Sequence, residues 1–118
     1  MYTPFSTKDF LAQADATIKK LMRDNNLTAN QLASELGIHP QQMRRLIRQA
    51  TGMSSSEYII DKKITHAKEL LLNQDLLTVA KVGYLCGFSE PTHFTRFFKH
   101  TVGMTPSQFR NQNKKENK

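Results

Sequence analysis

Cysteine, tryptophan, proline, glycine and acidic side chains are all scarce in this chain. One cysteine, Cys86, serves 118 residues, so no internal disulfide can form, which fits a reducing, cytoplasmic setting. No apolar run approaches the ~20 residues of a spanning helix, so no membrane contact is expected. The opening MYTPFSTKDF lacks the basic-then-apolar layout of a secretory signal. There is no phosphate-binding glycine loop, no nucleophile motif and no paired carboxylate, so the sequence does not read as an enzyme. The four histidines, His39, His66, His93 and His100, include no i, i+4 pair and no cysteine partner, which argues against a zinc site; no cofactor is expected. Strand patterning is missing too: LLL at 70–72 lies inside a longer helical period. The predicted fold class is all-α.

What is present is positive charge and a repeated helical pattern. Seventeen Lys and Arg oppose ten Asp and Glu, a formal +7 that a solvated surface does not require and an anionic partner would use. Residues 83–106, GYLCGFSEPTHFTRFFKHTVGMTP, read as a helix end, a glycine turn, a second helix and a glycine stop. Gly87 can adopt the left-handed conformation that closes a helix; Ser89 is the expected N-cap and Pro91 suits the first turn. Phe94, Phe97 and Phe98 share one face at spacings of three and four, which predicts core, whereas Thr92, Thr95, Arg96 and Lys99 share the other. That is the layout of a helix-turn-helix whose second helix enters a DNA groove.

The pattern occurs twice. Leu32, Ala33, Gly37 and Ile38 match Val82, Gly83, Gly87 and Phe88 at an offset of 50, and Pro40, Met43, Arg45, Leu46, Ile47, Arg48 and Gly52 match Pro91, Phe94, Arg96, Phe97, Phe98, Lys99 and Gly103 at 51. Two copies fall short of a solenoid, so two grafted motifs fit better. Between them, Ser54 and Glu57 open a pattern that runs to about Asn73. Such a helix is a rod of roughly 30 Å, close to the ~34 Å between successive major grooves on one face of B-DNA. Thr28 with Gln31, Thr78, and Thr105-Pro106 with Gln108 mark further helix starts, and Asn25 and Asn26 end the first helix. The expected division is a tail at 1–6, a first helix-turn-helix lobe at 7–53, a linker helix at 54–73, a second lobe at 74–110 and a disordered tail at 111–118, with about seven helices in all.

From about Phe10 to Arg110 the chain resembles the DNA-binding domain of the AraC/XylS family of bacterial transcription regulators. The stretch GFSEPTHFTRFFKHTVGMTPSQFR is the most specific part, and Arg45, Arg96 and the TG and VG stops fall where the family pattern expects them. Family members usually carry a sensing or dimerisation domain ahead of this one, and the helical start at Thr7 resembles the point where such domains are cut. An excised C-terminal fragment, monomeric on its own, is therefore expected; a stand-alone regulator is the other reading. RNA polymerase is a further expected partner of a transcription regulator. Lys63 stands where the family usually has arginine, and Gly83 where it usually has alanine.

The candidate contact residues are Gln41, Gln42, Arg44, Arg45 and Arg48 in the first head, and Thr92, His93, Thr95, Arg96 and Lys99 in the second. Arginine can give two hydrogen bonds to guanine and glutamine two to adenine, so these types suit base reading. Arg96 is the repeat partner of Arg45 and is expected to read a base, whereas Lys99 lies further along and suits phosphate. Met43, Leu46, Ile47 and Ala50 are expected to be the buried stripe of the first recognition helix. Lys62, Lys63, Lys68, Lys81 and Arg110 are counted with these cations as lying on or near the contact surface or the long helix. The function read from all this is sequence-specific binding of double-stranded DNA; the alternative is a basic helical module for an acidic protein partner.

Overall fold

A computed structural model describes residues 6–23 and 27–116. Its seven helices are α1 (Thr7–Leu21), α2 (Ala29–Leu36), α3 (Pro40–Thr51), α4 (Ser55–Asn73), α5 (Val79–Leu85), α6 (Pro91–Val102) and α7 (Pro106–Glu116), with no strand among the described residues. Asn25 and Asn26 lie outside those residues; α1 itself ends at Leu21.

Short-range chemistry sets most helix starts. The Gln31 N–H donates to Thr28 Oγ1 (3.1 Å) and the Lys81 N–H to Thr78 Oγ1 (3.0 Å), satisfying donors that a first turn otherwise leaves free. Ser54 and Glu57 form a reciprocal capping box, as do Thr105 and Gln108. The bond from the Ser54 N–H also holds the Glu57 carboxyl below its usual range. His39 Nδ1 accepts from the Gln41 N–H (3.1 Å), which occupies that imidazole at the start of α3. Two positions differ from expectation. The cap of α6 is Glu90, with no side-chain bond, because α6 begins one residue beyond the reach that Ser89 needed. α7 continues past Arg110 to Glu116, through residues expected to be a disordered tail. A helix once nucleated extends at little cost, and Asn113 Nδ2 donates back to the Phe109 carbonyl (2.8 Å).

The core is continuous from Phe10, Ala14 and Ile18 of α1, through Leu32, Met43 and Ile47, to Val82, Phe94, Phe98 and Phe109. α4 is its spine and packs against each of the other six helices. The Tyr58 hydroxyl donates to Asp15, and Lys62 Nζ lies 3.5 Å from the same carboxylate, fastening α1 along α4. Beyond α4, Phe94 packs on Phe88 and Phe98 at centroid distances of 5.3 and 5.8 Å, and Phe98 meets Phe109 at 5.5 Å. The segments before and after α4 approach closely at Gly87. Gly87, at φ 92°, comes so close to the end of α1 that a Cβ there would lie 2.1 Å from the Met22 carbonyl oxygen. Glycine is required on both counts.

Candidate nucleic-acid interface

α3 and α6 hold equivalent places, each entered through a turn with a left-handed glycine (Gly37 at φ 72°, Gly87 at φ 92°). In α3 the burial of Met43 and Ile47 and the partial burial of Leu46 turn Gln41, Arg44, Arg45 and Arg48 to solvent, with Gln42 half-buried. Ala50, expected in the buried stripe, is exposed, since the last turn of α3 runs beyond the core. Arg44, Arg45 and Arg48 border a cleft of about 380 Å³ with Ser54 and Ser55, and among the described residues no carboxylate lines it. In α6 the full burial of Phe94 and Phe98 leaves Thr92, His93, Arg96 and Lys99 exposed and Thr95 half-buried. The Arg96 guanidinium lies 5.6 Å from the centroid of the Phe97 ring, which steadies its stem without neutralising it. Among the described residues no salt bridge engages Arg44, Arg45, Arg48, Arg96 or Lys99.

Three of the cations expected near the contact surface have other duties. Arg110 donates from Nε to the Leu71 carbonyl (3.1 Å), from Nη1 to Leu77 (2.7 Å) and from Nη2 to Gln74 (3.2 Å). A rigid fork of donors thus closes the end of α4 and the turn into α5. Lys62 is the ion-pair partner of Asp15, and Lys63 is buried beside the turn of the second motif. Lys68 and Lys81 are exposed, over the rings of Phe109 and Tyr84 at 5.9 and 5.4 Å. These destinations depend on contacts between distant segments, so no local spacing announces them.

Gly83 and Cys86 belong to the scaffold. A Cβ on Gly83 would stand 2.6 Å from Phe94 Cδ2, so the missing methyl is what lets α5 and α6 approach. Cys86 is fully buried, and that burial pushes its thiol up to about 12, as expected of an inert core thiol.

Two units of helix, glycine turn and arginine-bearing second helix, docked on one long helix, define a two-headed helix-turn-helix domain. A family model described as a helix-turn-helix domain matches residues 32–112. The chain belongs to the AraC/XylS family and is a DNA-binding domain of that family's transcription regulators. It is 34% identical over 89 residues to the arabinose operon regulatory protein of Escherichia coli, an alignment covering 75% of this chain and 30% of that protein. The chain therefore spans about a third of the length of that relative. A transcriptional regulator with an AraC-type DNA-binding domain from Chromobacterium violaceum has a similar structure, with a TM-score of 0.79, 25% identity and coverage of 89% of this chain and 92% of that one. The DNA-binding domain of AdpA, solved with a target DNA, shares the fold with a TM-score of 0.78 and 23% identity, covering 90% and 94% of the two chains.

Proposed function

We infer that the chain binds double-stranded DNA as a monomer, with α3 and α6 entering successive major grooves on one face of the duplex. The observation that carries this reading is the pair of exposed cationic faces, Arg44, Arg45 and Arg48 on one and Arg96 and Lys99 on the other, free of salt bridges among the described residues. Apart from the influence of Glu57 on Arg48, counter-charge from DNA phosphates would supply what the described residues do not. Gln41, Gln42, Arg44 and Arg45 act as the first reading head. Arg96, with Thr92, His93 and Thr95, acts as the second, and Lys99 with Arg48 grips the backbone. The residues before α4 form one lobe and those after it the other, and α4 sets the distance between heads. The full regulator would act in the cytoplasm, with RNA polymerase as a second partner.

The test is a salt titration on duplexes carrying a selected site and on random duplexes. Contacts to about five phosphates predict that log K falls with log salt at a slope near −4.5, with the selected site bound more tightly throughout. A slope shallower than about −2 without sequence preference contradicts the reading and favours a module for an acidic protein.

A further inference from the structure

Charge is not spread evenly around α4. Glu57 and Asp61 line one cleft, together with Met53 and His100. Lys63 lies instead in a separate groove of about 370 Å³ between the two lobes. Thr28 at the start of α2, Ser56 of α4, and Ser89 and His93 of the second motif form its polar walls, and among the described residues no carboxylate lines it.

Lys63 is only 8% exposed, yet among the described residues no carboxylate forms a salt bridge with its ammonium. Nζ donates to the Gly87 carbonyl across 3.5 Å and lies 5.4 Å from the centroid of the Phe88 ring. One long hydrogen bond and a ring face are thin compensation for a desolvated cation, which ordinarily has a charged partner. Burial accordingly lowers the Lys63 pKa, opposed in part by the neighbouring Cys86 and by no carboxylate among the described residues. The floor of the groove is also fixed in place, because Gly87 is pressed against the Met22 carbonyl and Lys63 Cε lies within 3.2 Å of where its Cβ would be. His93, on the outward face of α6, borders the groove, so it opens where the second reading head meets DNA.

From this we propose that the inter-lobe groove is a phosphodiester site: one phosphate of the DNA backbone, in the spacer between the two base blocks, serves as the counter-ion that no described residue gives Lys63. The inference rests on the two-headed DNA-binding reading. A compact ammonium suits a single phosphate oxygen, and the hydroxyls of Ser56 and Ser89 and the His93 imidazole offer further donors at the rim. Because the groove is built from both lobes, that phosphate sets the register of one head relative to the other.

Duplexes carrying the selected site are synthesised with one neutral methylphosphonate at a time along the spacer, and affinity is measured for wild type and Lys63→Met. Wild type should lose about tenfold at one or two adjacent spacer positions. Lys63→Met, which keeps the apolar stem, should lower the salt slope by about 0.9 and show no further loss on those same duplexes. If Lys63→Met fails to fold, the wild-type scan decides alone: no sensitive spacer phosphate overturns the site. An unchanged salt slope in a folded Lys63→Met overturns it as well, and leaves the DNA-binding reading standing. Wild type that shows neither a steep salt slope nor a site preference overturns both.

Discussion

Gly83→Ala sets two effects of similar size against each other. In a helix interior alanine is favoured over glycine by about 1 kcal/mol. By that rule alone the substitution would stabilise α5. The structure reverses the sign. The new Cβ would sit 2.6 Å from Phe94 Cδ2, 2.7 Å from Cγ and 3.1 Å from Cβ, so the ring cannot escape by bending its far end. Phe94 is 1% exposed and held between Phe88 and Phe98, so relief requires α5 and α6 to separate. Overpacking of this kind costs about 1–3 kcal/mol, which leaves a net loss of roughly 1 kcal/mol and a Tm lower by about 4 °C. Urea and thermal unfolding of wild type, Gly83→Ala, Phe94→Leu and the double variant would measure it. The alanine should cost less in the Phe94→Leu background, where the ring is gone. A Gly83→Ala variant more stable than wild type by about 1 kcal/mol would refute the reasoning.

Other consequences are as direct. Ser55 is buried, and among the described residues its hydroxyl has no hydrogen-bond partner, so Ser55→Ala should stabilise by about 1 kcal/mol, read as a rise in the urea midpoint. Arg110→Ala, which removes a donor from three backbone carbonyls, of which Gln74 keeps the Leu77 N–H, should cost about 2–3 kcal/mol in thermal or urea unfolding while leaving the DNA salt slope unchanged. Arg45→Ala should lose about 1–3 kcal/mol on the best site and relax base preference in one block, whereas Lys99→Ala should weaken all sequences alike and lower the salt slope by about one. Titration on selected and random duplexes separates these two. Cys86 should resist alkylation at pH 8 in the folded protein, because its thiol stays protonated and buried, and should react only as urea unfolds the chain.

The elements legible in the sequence are those set by neighbours along the chain. Thr28 with Gln31, Ser54 with Glu57 and Thr105 with Gln108 act over three residues, so their spacing shows the helix starts directly. Phe94 and Phe98 are buried as their four-residue spacing predicts, and Arg44, Arg45, Arg96 and Lys99 are exposed as the opposite face requires. What escaped depends on where distant segments meet. Nothing near Arg110 in the sequence announces carbonyls more than thirty positions earlier. Nothing near Gly87 announces Met22, and the burial of Lys63 follows from that junction. Glycine at position 83 has opposite meanings for a lone helix and for one pressed on Phe94, and only the packing chooses between them.

The central claim is that both heads grip one duplex at once from a fixed spacing. The measurement that bears on it most directly is affinity for a selected site before and after inserting about five base pairs, half a helical turn, between its two blocks. α4 packs against the other six helices and Gly87 is seated against Met22, contacts that oppose any rotation of α6 relative to α3 toward the displaced block. The insertion should therefore reduce affinity to that of random DNA, and a full turn of about ten base pairs should not restore it, because the rod does not lengthen. Unchanged affinity after the half-turn insertion would show that the heads do not bind together.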